Sequence, residues 1–141
     1  MKLEQISVFL ENKAGRMAEV TGTLADAGIN IKALSLADTS EFGILRLIVD
    51  KHEKARDTLK TKGFTVTRTH VVAVEVKHIA GGLHAILKIL EGKNINVEYM
   101  YGFPYHGAEA IMVFRFDRTE QAIEVLQQSN IRIFSGEDIC A

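Results

Sequence analysis

The chain has 141 residues, of which 47% are hydrophobic and 25% charged, and its formal net charge is −1. This balance is typical of a globular protein, and it provides no basic field for nucleic acid. No stretch approaches the roughly 18 to 20 apolar residues of a membrane span, and the opening residues lack the apolar run of a signal peptide. The single cysteine, Cys140, excludes an intramolecular disulfide. We therefore expect a cytoplasmic protein with neither a nucleic-acid nor a membrane partner.

The first half of the chain predicts the order strand, helix, strand, strand, helix, strand. Residues 5–10 (QISVFL) predict a short buried strand, and the apolar residues that follow recur at helical spacing, at Met17, Val20, Leu24 and Ala27. Ala55, Thr58 and Leu59 mark a second helix. The other predicted strands cover residues 29–37, 43–50 and 64–68.

The same pattern then occurs a second time. Residues 11–31 match residues 77–97 without a gap, and residues 45–64 match residues 112–131. In this second copy we predict middle strands at 95–101 and 110–116, a helix at 120–128 capped by Thr119, and a last strand at 131–134. Two copies indicate two similar domains, 1–69 and 70–141. The predicted fold class is α+β: two tandem ferredoxin-like βαββαβ domains, with antiparallel sheets and the helices on one face.

The predicted helix ends share one feature between the copies. Gly28 is replaced by Asn94, and Gly63 by Asn130. Glycine and asparagine enter the left-handed backbone conformation at the lowest cost. We therefore expect each of the four helices to end with a left-handed residue.

The segment before the first helix resembles a known signature. Residues 11–17 (ENKAGRM) and 27–31 (AGINI) resemble the signature of ACT domains, which are ferredoxin-like modules that bind amino acids and regulate metabolic enzymes. Residues 80–83 (AGGL) and 94–97 (NINV) resemble a weaker form of it. The whole chain is similar to stand-alone tandem ACT proteins of bacteria and archaea. The resemblance implies a non-catalytic regulatory protein and a homodimer.

The residue types at this segment suggest how a ligand is held. Gly15 lets a ligand carboxylate approach the unpaired amides of Gly15, Arg16 and Met17 at the helix N-terminus. Asn12 and Asn30 offer side-chain carbonyls to an α-ammonium group, and their amides donate to the carboxylate; by the resemblance, both match asparagines of serine-sensing ACT domains. The candidate ligand-binding residues are Asn12, Lys13, Ala14, Gly15, Arg16, Met17, Asn30, Ile31, His78, Gly81, Gly82, Leu83 and Asn96.

The chain departs from the signature in two ways. Ala14 and Ala80 occupy the place where ACT domains usually have proline, and His78 replaces Asn12 in the second copy. A pair of identical sites is therefore not expected. Two arrangements of the site remain open: the helix loop pairs with the second strand of its own module, or with the second strand of a neighbouring module. Simpler roles for these residues, as turn, interface or packing residues, also remain open.

A row of aromatic residues at period two, Tyr99, Tyr101, Phe103 and Tyr105, predicts one lined face of a strand, as either core or pocket wall. The histidines lack metal-ligand spacing, and no phosphate loop, nucleophile motif or carboxylate pair is present. We predict no catalysis, no metal and no cofactor. Three functions follow: an amino-acid-binding regulator, a regulatory subunit of a metabolic enzyme similar to the acetolactate synthase small subunit, or a structural pairing module without ligand.

Overall fold

The structure, a computed structural model, describes residues 1–104, 107 and 109–140, and only the backbone of residue 140. It divides into two compact units. The first unit holds Glu4–Thr69, and the second unit holds His70–Ile139 together with Met1–Leu3. Among the described residues, no helix combines the length and the apolar character needed to cross a membrane.

The first unit follows the predicted βαββαβ order. Its elements are β1 (Leu3–Glu11), α1 (Arg16–Asp26), β2 (Ile31–Asp38), β3 (Phe42–Val49), α2 (His52–Thr61) and β4 (Thr65–Glu75), whose last residues belong to the second unit. The strand order is β2-β3-β1-β4. Both pairs that involve β3 are antiparallel.

The second unit repeats this topology. Its further elements are α3 (Gly82–Gly92), β5 (Val97–Phe103), β6 (Ile111–Phe116), α4 (Thr119–Gln128), β7 (Ile133–Phe134) and α5 (Gly136–Cys140). The later part of β4 pairs with β6 on one side and β7 on the other, and β5 pairs with β6, all antiparallel. The predicted ferredoxin-like fold is thereby confirmed for both copies.

Each unit has its own hydrophobic core between sheet and helices. In the first core, Val20 and Leu24 of α1 pack with Leu59 of α2 against β1 and β3. In the second, Ile86 and Leu90 of α3 occupy the equivalent positions. These side chains recur three or four residues apart, so each amphipathic helix presents one apolar stripe to its sheet.

The left-handed helix ends are confirmed in all four helices. Gly28 and Gly63 have φ angles of 71° and 92°, and Asn94 and Asn130 have φ angles of 57° and 59°. In each case the next residue donates its amide to a carbonyl in the last turn, as Ile29 does to Leu24 at 3.0 Å. This bond closes the helix and directs the chain into the next strand.

Several predicted boundaries were wrong. The strand predicted at 64–68 continues to Glu75, because the last strand of the first copy and the first strand of the second are one strand, β4. Thr119 is the first residue of α4 and makes no side-chain capping bond; Arg118 precedes the helix. β7 is shorter than predicted, because the Ile131 amide donates to the Leu126 carbonyl and so completes the end of α4.

The first of the two middle strands in each copy, β2 and β5, begins later than predicted, at Ile31 and Val97 respectively. Asn30 exchanges two bonds with Asp50: its amide donates to the carboxylate at 3.0 Å, and its carbonyl accepts from the Asp50 amide at 3.2 Å. Asn96 and Asp117 repeat this pair at the same distances. Each asparagine is therefore bonded to an aspartate two residues before a helix instead of starting the strand ladder.

Candidate functional site

The loop between β1 and α1 turns through a left-handed glycine. Gly15 has a φ of 90° and immediately precedes the helix, and Gly81 has a φ of 85° in the same place before α3. The carbonyl of each glycine accepts the first bond of its helix at 3.0 Å, from Glu19 and Ala85 respectively. Glycine is needed at both positions because a residue with a Cβ is strained at such angles.

The expectation of three unpaired amides at this helix start was wrong for Arg16. Its amide donates to the Lys13 carbonyl at 3.4 Å, because the loop folds into a turn. The Gly82 amide donates to Ile79 at 3.0 Å in the second unit. Within the part of the chain that the structure describes, the amides of Gly15 and Met17 make no backbone hydrogen bond.

Asn12 is bound to the loop between β2 and β3. Its backbone amide donates to Glu41 at 2.9 Å, and its side-chain amide donates to the Thr39 carbonyl at 3.1 Å and to Asp38 at 3.5 Å. The expected donation from this amide to a ligand carboxylate is therefore in competition with the loop. Its side-chain oxygen makes no hydrogen bond to any described residue, which leaves it available as an acceptor.

Asn30 is exposed, and its hydrogen bonds described above use only its backbone. It follows the C-terminal end of α1, whereas Asn12 precedes the N-terminal end. A helix of 11 residues is about 16 Å long. The structure therefore does not bring Asn12 and Asn30 together within the first unit, and His78 and Asn96 lie at opposite ends of α3 in the same way.

The remaining candidates divide into exposed and packed residues. Lys13 forms an exposed ion pair with Glu11 at 3.3 Å. Met17, Ile31 and Leu83 are partly buried against the cores of their units, so packing already accounts for them. The exposed candidates are Ala14, Gly15, His78 and Gly81.

Arg16 is held over the end of the first core. Its guanidinium lies 4.9 Å from the centre of the Phe64 ring and pairs with Glu19 at 2.8 Å. A small cavity of about 60 Å³ remains beside it, lined among others by Asn12 and Met17. A cavity of about 330 Å³ lies further along α1 and is lined by charged residues such as Asp26 and Lys62; none of residues 13–16 lines it.

The second unit has a larger cavity at its helix loop. It measures about 480 Å³ and includes Gly81 and Gly82 of the predicted site. Its other lining residues were not predicted from the sequence; they are Glu75, Lys77, Ile79, Ala80, Ala85, Ile86, Ile89, Ser129, Asn130, Ile131 and Arg132. The signal for them was present in the repeat, where several polar residues of the first copy become apolar in the second. Asn96 lines a separate cavity of about 300 Å³ at the other end of α3.

The predicted row of aromatic residues lies on the sheet face opposite the second core. Tyr101 pairs with Val113 and Phe103 with Ile111, and both aromatic side chains are buried. They line none of the cavities above, and packing therefore accounts for them. Tyr105 lies outside the described residues. Among those described, no three side chains of His, Cys, Asp or Glu are grouped as a metal site.

Comparison with known proteins identifies the family. The family model described as an ACT domain pair matches residues 1–141. Protein BT0572 from Bacteroides thetaiotaomicron is 38% identical, with a TM-score of 0.93 over 99% of this chain and 96% of that one. The regulatory subunit of aspartate kinase from Thermus thermophilus has a TM-score of 0.63 at 15% identity, over 89% of this chain and 91% of that one, which shows a shared fold. A search of curated proteins gives no significant match.

ACT domains are regulatory modules, and amino-acid binding is typical of them. The match covers both copies of the repeat and both glycine-opened helix loops. The chain therefore belongs to the ACT domain family, as an ACT domain pair.

Proposed function

We propose that this protein is a non-catalytic cytoplasmic regulator that binds a free amino acid. The observation that carries the proposal is the left-handed glycine before α1 and α3, in a chain that matches the ACT domain pair along its whole length. Such a glycine leaves the start of the helix accessible, and the helix dipole there favours a carboxylate. Asn12 supplies a side-chain acceptor for the ammonium group.

A site that uses Asn12 together with Asn30 takes the second asparagine from another module. The two lie beyond opposite ends of α1, which is about 16 Å long. We assign that other module to a second copy of the chain. In this arrangement the ligand stabilises the paired state only through its greater affinity for that state. The amino acid thereby controls how the protein pairs.

The surface of the first unit supports a homodimer. β2 is an edge strand, and Leu34 and Leu36 on it are 47% and 50% exposed, with Phe42 of β3 at 56%. Exposed apolar residues on an edge strand favour pairing with another chain. We expect Leu36→Glu to give a monomer by light scattering, whereas Ala18→Glu, on the exposed face of α1, leaves the dimer intact. A monomeric parent protein contradicts this part of the proposal.

Thermal unfolding against the twenty amino acids, each at millimolar concentration, tests ligand binding. A ligand at about 100 times its dissociation constant adds about 2.7 kcal/mol to the stability of the folded state. This raises the midpoint by several degrees for a chain of this size. We expect one amino acid, or one chemical class, to produce the rise.

Asn30→Ala provides the matched variant, because the bonds of Asn30 with Asp50 use its backbone and survive the change. We expect the ligand-induced rise to be lost while the midpoint without ligand stays the same. Gln127→Ala removes another exposed carboxamide, on α4, and serves as the control. An unchanged response in Asn30→Ala contradicts the assigned site. If no amino acid stabilises the parent protein, the role of an enzyme's regulatory subunit replaces this proposal.

A further inference from the structure

The end of the module that holds the helix loop differs between the two copies at five equivalent positions. Each position is polar, charged or aromatic in the first copy. In the second copy it is glycine, alanine or isoleucine. In the second copy, Lys13 is replaced by Ile79, Arg16 by Gly82, Glu19 by Ala85, Thr23 by Ile89, and Phe64 by Ile131.

All five second-copy residues line the cavity of about 480 Å³. In the first unit, Arg16 lies over Phe64 and pairs with Glu19, so these three side chains occupy the loop end of α1. Their replacements provide neither a guanidinium nor a ring to fill the space. The first unit keeps a cavity of about 330 Å³ beside Glu19, Thr23 and Phe64, but none of residues 13–16 lines it. In the second copy the exchanges leave the loop end of the helix uncovered, and the cavity there extends to Ile79 and Gly82.

Gly82 keeps this cavity open for a steric reason. A Cβ at this position would lie 2.0 Å from the Lys77 carbonyl oxygen, which is closer than any real contact. A side chain is excluded there unless the loop moves. The loop end of α3 therefore stays uncovered.

The lining combines apolar walls with charges of both signs. Ile86, Ile89 and Ile131 provide the walls, and Ile79 is 65% exposed. An isoleucine this exposed at the cavity is suited to covering an apolar ligand. The volume lies within the usual range for small-molecule sites, about 300 to 1,000 Å³.

Two of the three charged residues of the cavity, Arg132 and Glu75, are paired with each other. The guanidinium of Arg132 lies 4.2 Å from the centre of the Phe134 ring and 3.7 Å from the Glu75 carboxylate. Lys77 adds a second cation and forms no ion pair among the described residues. A guanidinium suits a carboxylate, and a carboxylate suits an ammonium group.

We propose that this cavity is a second amino-acid site, separate from the one at Asn12 and Asn30, and that the α-amino acid it binds has a large apolar side chain. Its side chain lies among Ile86, Ile89 and Ile131. Its carboxylate faces Arg132 and Lys77, and its ammonium group faces Glu75. This inference rests on the proposed regulatory function and extends it, since it adds a site in the second copy that does not use Asn12 or Asn30 and that excludes small polar amino acids.

Calorimetric titration of the full chain tests it, with L-leucine, L-isoleucine and L-phenylalanine as probes and L-serine and L-aspartate as comparisons. Leucine and isoleucine against phenylalanine separate aliphatic from aromatic ligands. 4-Methylpentanoate, which is leucine without its ammonium group, tests the role of Glu75. We expect it to bind at least about tenfold more weakly than leucine, because a charge-assisted bond is lost.

Ala85→Trp fills the cavity from an exposed position on α3, and we expect it to weaken binding at least about tenfold. His84→Trp places the same ring on the preceding residue, outside the cavity, and should change the affinity less than about twofold. Ile89→Thr restores the residue of the first copy without added bulk and should also weaken binding, which guards against misfolding of the first variant. Circular dichroism checks each fold.

Apolar amino acids that bind the parent and His84→Trp but not Ala85→Trp or Ile89→Thr support the inference. Binding that persists in Ala85→Trp, or selective binding of serine or aspartate, overturns the inference and leaves the proposed function standing. Absence of any amino-acid binding overturns both. Equal affinity for leucine and 4-methylpentanoate overturns the assignment of Glu75.

Discussion

The guanidinium of Arg16 lies 4.9 Å from the centre of the Phe64 ring, whereas the equivalent residues of the second unit are Gly82 and Ile131. Gly82 and Ile131 line the largest of the cavities described above. The two copies share one topology and one type of core. They differ in what occupies the end of the module beside the helix loop.

Arg16→Ala should destabilise the first unit by about 1 kcal/mol, because it removes both the contact with the ring and the cover that the side chain gives to the core. Urea unfolding measures the change. Arg56→Ala is the control: among the described residues, Arg56 forms an ion pair only with its exposed neighbour Asp57, at 3.4 Å. Such a pair contributes less than about 1 kcal/mol. Equal effects of the two substitutions would contradict the stabilising role of Arg16.

Substitution by alanine at two helical glycines, Gly22 and Gly82, should change the stability of the protein in opposite directions. Gly22 lies inside α1, and a Cβ there would meet nothing within 4 Å. Gly22→Ala should stabilise the protein by about 0.5 to 1 kcal/mol, because alanine loses less backbone entropy in a helix. Gly82→Ala should destabilise it, because its Cβ would lie 2.0 Å from the Lys77 carbonyl. Differential scanning calorimetry of the two variants should give midpoint shifts of opposite sign.

The left-handed residues provide a test of the helix ends. Asn94→Gly should leave stability almost unchanged, because glycine accepts a φ of 57° at no steric cost. Asn94→Ala should destabilise the second unit by about 1 kcal/mol, since alanine is strained in this region. The denaturant midpoint of unfolding measures both changes in stability, provided that the dependence of the unfolding free energy on denaturant concentration stays the same. A loss of stability in both Asn94→Gly and Asn94→Ala, or in neither, would be inconsistent with the observed backbone.

The start of α5 should show a depressed carboxyl pKa. The Ser135 backbone amide donates to Asp138 at 2.9 Å, and this bond, followed by the Ser135 side chain, lowers the pKa of Asp138. Because the folded pKa lies below the unfolded value of about 3.9, the stabilisation is complete above that pH and is lost as the pH falls through the folded pKa.

A pH titration followed by carboxyl-carbon NMR measures this pKa directly. Ser135→Ala removes the hydroxyl and keeps the backbone donor, so the pKa of Asp138 should rise only part of the way to its ordinary value. An Asp138 pKa that already lies at or above the ordinary value in the parent protein would show that the hydrogen bond from Ser135 to the Asp138 carboxylate does not form.

The fold could be predicted because its determinants are local and occur twice. Val20 and Leu24 recur at helical spacing, and the matching residues Ile86 and Leu90 occupy the equivalent positions of the second core. The exchange of Gly28 for Asn94 predicted a left-handed backbone without any tertiary information. The strand boundaries were harder, because the bonds between Asn30 and Asp50 join residues distant in sequence.

The candidate site was predicted only as a set of residue types. The sequence does not show that the amide of Arg16 is bonded to Lys13, or that the side-chain amide of Asn12 is bonded to Thr39. These partners depend on how the loops fold. The sequence also provided no reason to place Arg132 near Gly82, since Gly82 begins α3 and Arg132 follows α4, and the two line one cavity only in the folded structure.

The sequence by itself therefore determined the number of modules, the order of their elements and the ends of their helices, because side-chain period and backbone preference act over a few residues. The tertiary structure alone decided which donors remain free and where space remains. Both depend on side chains brought together from distant parts of the chain, as when Arg16 lies over Phe64 in one copy and Gly82 leaves the equivalent place open in the other.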